Sequence, residues 1–169
     1  EYIHWDKNHS ANYDITVKKS NTTDNTLKKD DNGKYAEYVV DVSSEKGTPD
    51  VITLNDVLEA GKMSVDTSKF TYTITKNGQQ VGGEYTANVT ASSNNDNNNH
   101  KYNLTATLPK LNAGESCQIK YKYYYDTSLC DSGNESQASN KVTGESINKK
   151  SNEKVIDTSS SCLLYTSPS

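Results

Sequence analysis

The sequence is short of the residues that usually build a core. It contains one Phe and one Trp, and only 31% of its 169 residues are hydrophobic. No apolar run approaches the roughly 18 residues that a bilayer-spanning helix needs. No basic patch stands out, and the net charge is −4 with both signs mixed along the chain. Nucleic acid and an anionic membrane are therefore not the expected partners. His4, His9 and His100 lie in polar segments without the spacing of zinc ligands. Asp24, Asp30, Asp31 and Asn32 lack the ordered spacing of a calcium loop. A Ser-His-Asp arrangement, a nucleophile elbow and a phosphate loop are all missing. No metal or cofactor is implied, and an enzyme of the turnover kind is not expected.

What the sequence does have is 12 Tyr, with frequent Thr and Val. These residues suit a pleated, half-exposed surface, and the Asn, Ser, Asp and Gly between them signal turns. Period-2 alternation recurs with turn clusters in between, which predicts an all-β protein. The runs are Asp14 to Lys19, Tyr35 to Val42, Val51 to Asp56, and Phe70 to Ile74 ending at the hairpin signal Asn77-Gly78. Tyr85 to Ala91, Tyr102 to Leu108, Cys117 to Tyr125 and Ala138 to Thr143 complete about eight strands. Asn55 to Ala60 could form one short helical turn. A thin, two-layered sandwich is the expected architecture. Asn-x-Ser/Thr sequons at Asn8, Asn21, Asn88, Asn103 and Asn134 are what chance produces in a chain this rich in Asn and Thr.

The last eight residues, Cys162 to Ser169, read CLLYTSPS. This string resembles the translation of a transposon-end adapter used to prepare DNA sequencing libraries, so residues 162–169 are set aside from fold reasoning. The protein is then expected to continue past Ser161. Cys117 and Cys130, 13 residues apart, either pair in an oxidising compartment or are both free. Thr16-Val17-Lys18-Lys19-Ser20-Asn21 is echoed by Ile147-Asn148-Lys149-Lys150-Ser151-Asn152 at an offset of 131 residues, a sensible pitch for tandem domains. The expected organisation is a linker or the end of a preceding unit at 1–12 and one sandwich domain at 13–145. Residues 146–161 would be a linker or the start of a truncated second repeat.

Strand parity singles out three polar residues. Side chains alternate along a strand, so Lys19 shares a face with Ile15 and Val17, Asp56 with Ile52 and Leu54, and Asn140 with Val142. If those faces form the core, a Lys, an Asp and an Asn point into one apolar interior. Burial lowers a lysine pKa and raises an aspartate pKa. A neutral amine is a nucleophile, and a protonated carboxyl can polarise an amide. Lys19 Nζ would then attack the Asn140 carboxamide with Asp56 as acid/base helper, expelling ammonia once per molecule. The plainer alternatives are an exposed Lys19 with Lys18 turned in, Asp56 capping a turn, and Asn140 bonding nearby backbone.

Four stretches now carry a resemblance: ITVKKS near the start; Glu45-Lys46-Gly47-Thr48 leading to VITLND; LPKLNAGES before QIKYKYYYD; and SNKVTG at the end. They span roughly residues 13–145, and LPKLNAGES followed by an alternating strand is the most specific. The pattern resembles the collagen-adhesin A-type isopeptide domains of Gram-positive surface proteins and fimbrial subunits. The resemblance implies an Ig-like or prealbumin-like β-sandwich with the Lys on the first strand, the Asp on an interior strand and the Asn on the last. Lys19, Asp56 and Asn140 fall in that order. It further implies a cell-surface stalk module, anchored to the cell wall in the full-length protein, whose partners are neighbouring domains of the same protein. The alternative is a ligand-binding adhesin domain that recognises a host matrix protein or a glycan. Cys117 and Cys130 depart from the family, which rarely uses Cys.

Overall fold

The computed structural model describes residues 12–93 and 96–168, and in these every regular element but one is a strand. The strands are β1 (Thr16–Asn21), β2 (Lys28–Asp30), β3 (Gly33–Ser43), β4 (Ile52–Glu59), β5 (Ser64–Val65) and β6 (Thr71–Lys76). They continue with β7 (Gln79–Val81), β8 (Ala87–Ala91), β9 (Lys101–Leu108), β10 (Ser116–Asp126), β11 (Glu135–Ile147) and β12 (Lys154–Thr166). A 3-10 turn at Thr67–Lys69 is the exception. The expected helical turn over Asn55 to Ala60 is instead the second half of β4. That strand is central in its sheet, with β9 on one flank and β11 on the other, so ladder bonds hold it straight through Glu59.

Two antiparallel sheets face one another. The first runs β1-β3-β10-β6-β7, with β2 added on β3 and β5 on β10; the second runs β12-β11-β4-β9-β8. This is the β-sandwich that period-2 patterning predicts. β4 reads buried-exposed-buried through all eight residues, so one face is core and the other solvent. Asn77 and Gly78 both have positive φ, at 51° and 80°, as the tight β6–β7 hairpin requires.

The Tyr-rich strand β10 shows how a core is built with little Phe or Trp. Ile119, Tyr121, Tyr123 and Tyr125 share the inner face and are all buried. The Tyr121 and Tyr123 rings meet edge-on at 5.5 Å, and Phe70 and Tyr38 pack against both. Tyr124 points the other way and is buried as well, donating to Asp30 Oδ2 at 2.8 Å.

Two of the sequence stretches quoted above meet at one end of the sandwich. Thr48 N donates to the Leu111 carbonyl at 2.8 Å, and Leu111 N donates back to Thr48 Oγ1 at 3.0 Å. Gly47, at φ 98°, leaves only 3.3 Å between an added Cβ and the Leu111 carbonyl oxygen. Asp14 N donates to the Gly47 carbonyl, which fixes the entry to β1 beside them.

The C-terminal region differs from expectation. Residues 146–161 neither link nor start a second unit. β11 runs on to Ile147, a short turn follows, and β12 pairs with β11 along its whole length. Val155 and Leu163 are fully buried in the one core, so the sandwich does not end at 145. Residues 162–166, set aside above, form the end of β12. Edge strand β1 also leans on β12. Val17 N donates to Asp157 Oδ2 at 2.8 Å and Lys19 N to Ser159 Oγ at 2.9 Å, so side chains stand in for a missing neighbouring strand. Of the expected linker at 1–12, residues 1–11 lie outside the described residues.

The possible Cys117–Cys130 pairing is corrected. Both thiols are free. Cys117 is the second residue of β10, and the strand then carries the chain about 30 Å away before Asp126. The four residues from Asp126 to Cys130 can return at most about 14 Å, so the two Cα atoms stay far outside bridging range.

Gly144 sets how closely β1 approaches β11. A Cβ there would meet Val17 Cγ2 at 2.8 Å and Leu54 Cδ2 at 3.1 Å. Gly144→Ala is expected to lower stability by about 1–3 kcal/mol through overpacking. The urea midpoint measures this, and an unchanged midpoint would show that β1 can yield.

Candidate functional site

Lys19, Asp56 and Asn140 come from three strands and meet inside the sandwich. β1 brings Lys19 from the first sheet. Its backbone lies opposite Val40 of β3, and its side chain runs inward until none of it is exposed. Asp56 and Asn140 come from the second sheet. Asp56 sits opposite Val142 and Asn140 opposite Leu58, so on the shared inner face the two are diagonal neighbours across β4 and β11. Both are buried, Asp56 completely. Lys18 is exposed.

The lysine amine has three acceptors. It donates to Asp56 Oδ2 at 2.5 Å and to the Tyr121 hydroxyl oxygen. With the Asn140 carboxamide in the orientation that satisfies both its ends, its carbonyl oxygen accepts from Lys19 Nζ at 3.2 Å. Its nitrogen then donates to the Ser139 carbonyl, also at 3.2 Å. Two tyrosine rings form an apolar floor, with Nζ 4.4 Å from the Tyr38 centroid and 4.8 Å from that of Tyr121. Tyr121 also donates its own proton to Asp56 Oδ2. Asp56 Oδ2 thus has two donors, while Oδ1 is buried with no hydrogen-bond partner.

Burial is the main influence on the amine. It pulls the Lys19 pKa below its ordinary 10.5, opposed by the charge and hydrogen bond of Asp56. The Tyr121 hydroxyl is pushed the other way. Burial, reinforced by the Asp56 charge, raises its pKa well above 10.0, so it keeps its proton at neutral pH. A lysine made easier to deprotonate, a carboxyl beside it and a carboxamide within hydrogen-bond reach are the components of a side-chain amide condensation. Among the described residues no group of His, Cys, Asp or Glu could hold a metal ion.

Sequence reasoning missed Tyr121, Tyr38 and the β12 side chains that hold the β1 backbone. Parity in QIKYKYYYD does place Tyr121 inward beside Ile119. Nothing in the sequence says that β10 would lie across the core from β4.

No protein-family model matches the chain, and no curated protein matches it by sequence. Among solved structures it is similar to the collagen binding subdomain of Enterococcus faecalis surface protein ACE, at 9% identity over 90% of this chain and 95% of that one, with a TM-score of 0.43. It is similar to the collagen-binding domain from a Staphylococcus aureus adhesin, at 16% identity over 93% of this chain and 98% of that one, with a TM-score of 0.38. It is also similar to AvmM, which catalyses macrocyclization in alchivemycin A biosynthesis, at 10% identity over 95% of this chain and 90% of that one, with a TM-score of 0.49. Overlaps this loose leave function to be read from the site.

The buried pair has a consequence for stability that does not depend on any reaction. In an Asn140→Ala chain, which cannot condense, Asp56→Ala strands the Lys19 charge and is expected to cost about 3–5 kcal/mol. Adding Lys19→Met should recover most of that loss, because no charge is then left unpaired. Denaturant titration of the three chains decides it; no recovery in the last would mean the two side chains are not coupled.

Proposed function

We propose that this domain is a structural module of a bacterial surface adhesin or fimbrial protein, tied internally by an amide between Lys19 and Asn140 that Asp56 promotes. The observation that carries the reading is the burial of the amine between Asp56 Oδ2 at 2.5 Å and the Asn140 carboxamide at 3.2 Å. The ordered stretches from ITVKKS to SNKVTG support the surface-protein setting. Cell-wall anchoring in the full-length protein and neighbouring domains as partners belong to the same proposal.

The chemistry balances without a cofactor. Lys19 passes one proton to Asp56 and attacks the Asn140 carbonyl carbon, while Asp56 returns a proton to the carbonyl oxygen. The Nζ–Cγ bond forms and the Cγ–Nδ2 bond breaks. Of the three protons on the charged lysine, one stays on the new amide and one leaves with the carboxamide nitrogen as ammonia. The third rests on Asp56. The event happens once per molecule, so this reaction has no turnover.

The tie joins the two sheets and closes a loop from residue 19 to residue 140. By analogy with a disulfide across a loop of that length it contributes about 4–5 kcal/mol by restricting the unfolded chain. It would also shield the strands inside the loop from a pull along the chain, which suits a stalk.

Intact-mass measurement is the test. The chain should weigh one ammonia less than its sequence, and Lys19→Ala or Asn140→Ala should restore the full mass. Each variant should melt roughly 10–20 °C lower. An unreduced mass in the parent chain overturns the reading; saturable binding of that chain to a matrix protein or a glycan would then assign it to ligand recognition.

The reaction should also have a defined pH profile. The reactive form, neutral amine with protonated carboxyl, holds as many protons as the ion pair, so the rate is level where that count holds. It falls in acid when the pair gains a proton and in alkali when it loses one. Because burial lowers the Lys19 pKa, the alkaline fall should be centred below 10.5. A rate that still climbs through pH 10.5 would place the amine outside the core.

A further inference from the structure

The mechanism above leaves two features unused: the Tyr121 hydroxyl between the amine and the carboxylate, and the orphaned Asp56 Oδ1. A buried acceptor without a donor costs free energy and calls for an explanation. We propose that Tyr121 is a further catalytic residue of the amide-forming reaction, whose hydroxyl accepts from the attacking amine and holds one oxygen of Asp56, leaving the other oxygen of the carboxyl free to carry the proton. This inference rests on the amide-forming reading.

The hydrogen-bond inventory leads there. A phenol both donates and accepts, and Tyr121 does both: it accepts from Lys19 Nζ and donates to Asp56 Oδ2. Oδ2 therefore receives the amine and the phenol together, while Oδ1 receives nothing. When Lys19 gives up a proton, Asp56 becomes a neutral acid with one bare and one protonated oxygen. A donating hydroxyl binds the bare oxygen better, since that oxygen keeps its lone pairs. Tyr121 thus holds the bare oxygen and leaves the protonated one unencumbered. The protonated oxygen gives its proton to the carbonyl oxygen as the Nζ–Cγ bond forms. The same phenol oxygen accepts one of the two N–H bonds left on the amine, which restrains rotation about Cε–Nζ. The phenol keeps its own proton throughout, in line with its raised pKa, so the proton balance given above is unchanged.

Tyr123 supplies the internal control. It lies on the same face of β10, its ring packs in the same aromatic cluster, and its hydroxyl is buried without a partner. A role in packing alone would make the two tyrosines equivalent.

The test is a time course. Full-length chains are made in a cell-free reaction, quenched at intervals and weighed intact. Tyr121→Phe, confirmed as folded by near-UV circular dichroism, is expected to lose ammonia about 100-fold more slowly than the parent, at the low end for a positioned acid–base group. Tyr123→Phe should match the parent. Parent and Tyr121→Phe condensing at equal rates overturns the inference and leaves the amide reading standing. A parent that never loses ammonia overturns the amide reading instead. If Tyr121→Phe does not fold, the measurement moves to Asn140→Ala, which keeps the phenol and cannot react. There, proton NMR should show a slowly exchanging Tyr121 hydroxyl with a through-space contact to Lys19 Hε, and a hydroxyl in fast exchange would overturn the proposal.

Discussion

Everything in this molecule is arranged around one ammonium group held away from water. Lys19 Nζ lies between two sheets with its side chain wholly enclosed, and such a charge is tolerable only with a close partner and further hydrogen bonds. Asp56 is the partner, and Tyr121 and Asn140 fill the remaining donor directions. A buried ion pair alone is weak evidence for anything, because apolar residues of similar volume often stabilise as well. Fixing the register of β1 is one service such a pair can render, since a one-residue slip would turn Lys18 inward in place of Lys19. Register needs only the pair, however. It does not need a carboxamide against the amine, nor a carboxylate oxygen left without a donor.

The topology decides what a tie at this point would protect. Lys19 is on an edge strand of the first sheet, and Asn140 is on the second strand of the other. A covalent link would enclose β2 through β10 and leave β12 outside. β12 is held by its ladder to β11 and by the side chains that Asp157 and Ser159 offer to the β1 backbone. Tension entering from the C-terminal side would therefore meet ordinary hydrogen bonds in β12 before it met the amide. The closed loop and the strand beyond it would be two different mechanical materials.

Much of this was legible from alternation alone. Period 2 places Lys19 with Val17, Asp56 with Leu54 and Asn140 with Val142, and the structure buries all six. The failures share a physical cause, which is that local pattern does not report neighbours. Asn55 to Ala60 reads as a turn of helix until β9 and β11 flank it. β12 carries the polar run Thr158 to Ser161, so its strand character comes from the β11 ladder rather than from an apolar face of its own. The spacing of Cys117 and Cys130 says nothing of the long extended strand that separates them. Tyr121 was on the correct face in the sequence, but its role depends on which residues lie across the core.

The same non-locality bears on when the amide would form. Lys19 and Asp56 are far apart in the chain, Asn140 is farther still, and Tyr121 belongs to the opposite sheet from Asp56. None of these approaches can precede the packing of one sheet on the other, because each sheet brings only part of the set. The low dielectric that frees the amine is likewise absent until the aromatic floor of Tyr38 and Tyr121 closes beneath it. Condensation would therefore be confined to chains that already have both sheets in register, and a slipped β1 or β11 would present Lys18 or Ser139 to the interior instead. Long-range strand pairing is the slow part of folding such a domain, and a lock that can close only after it cannot trap the chain in a wrong pairing.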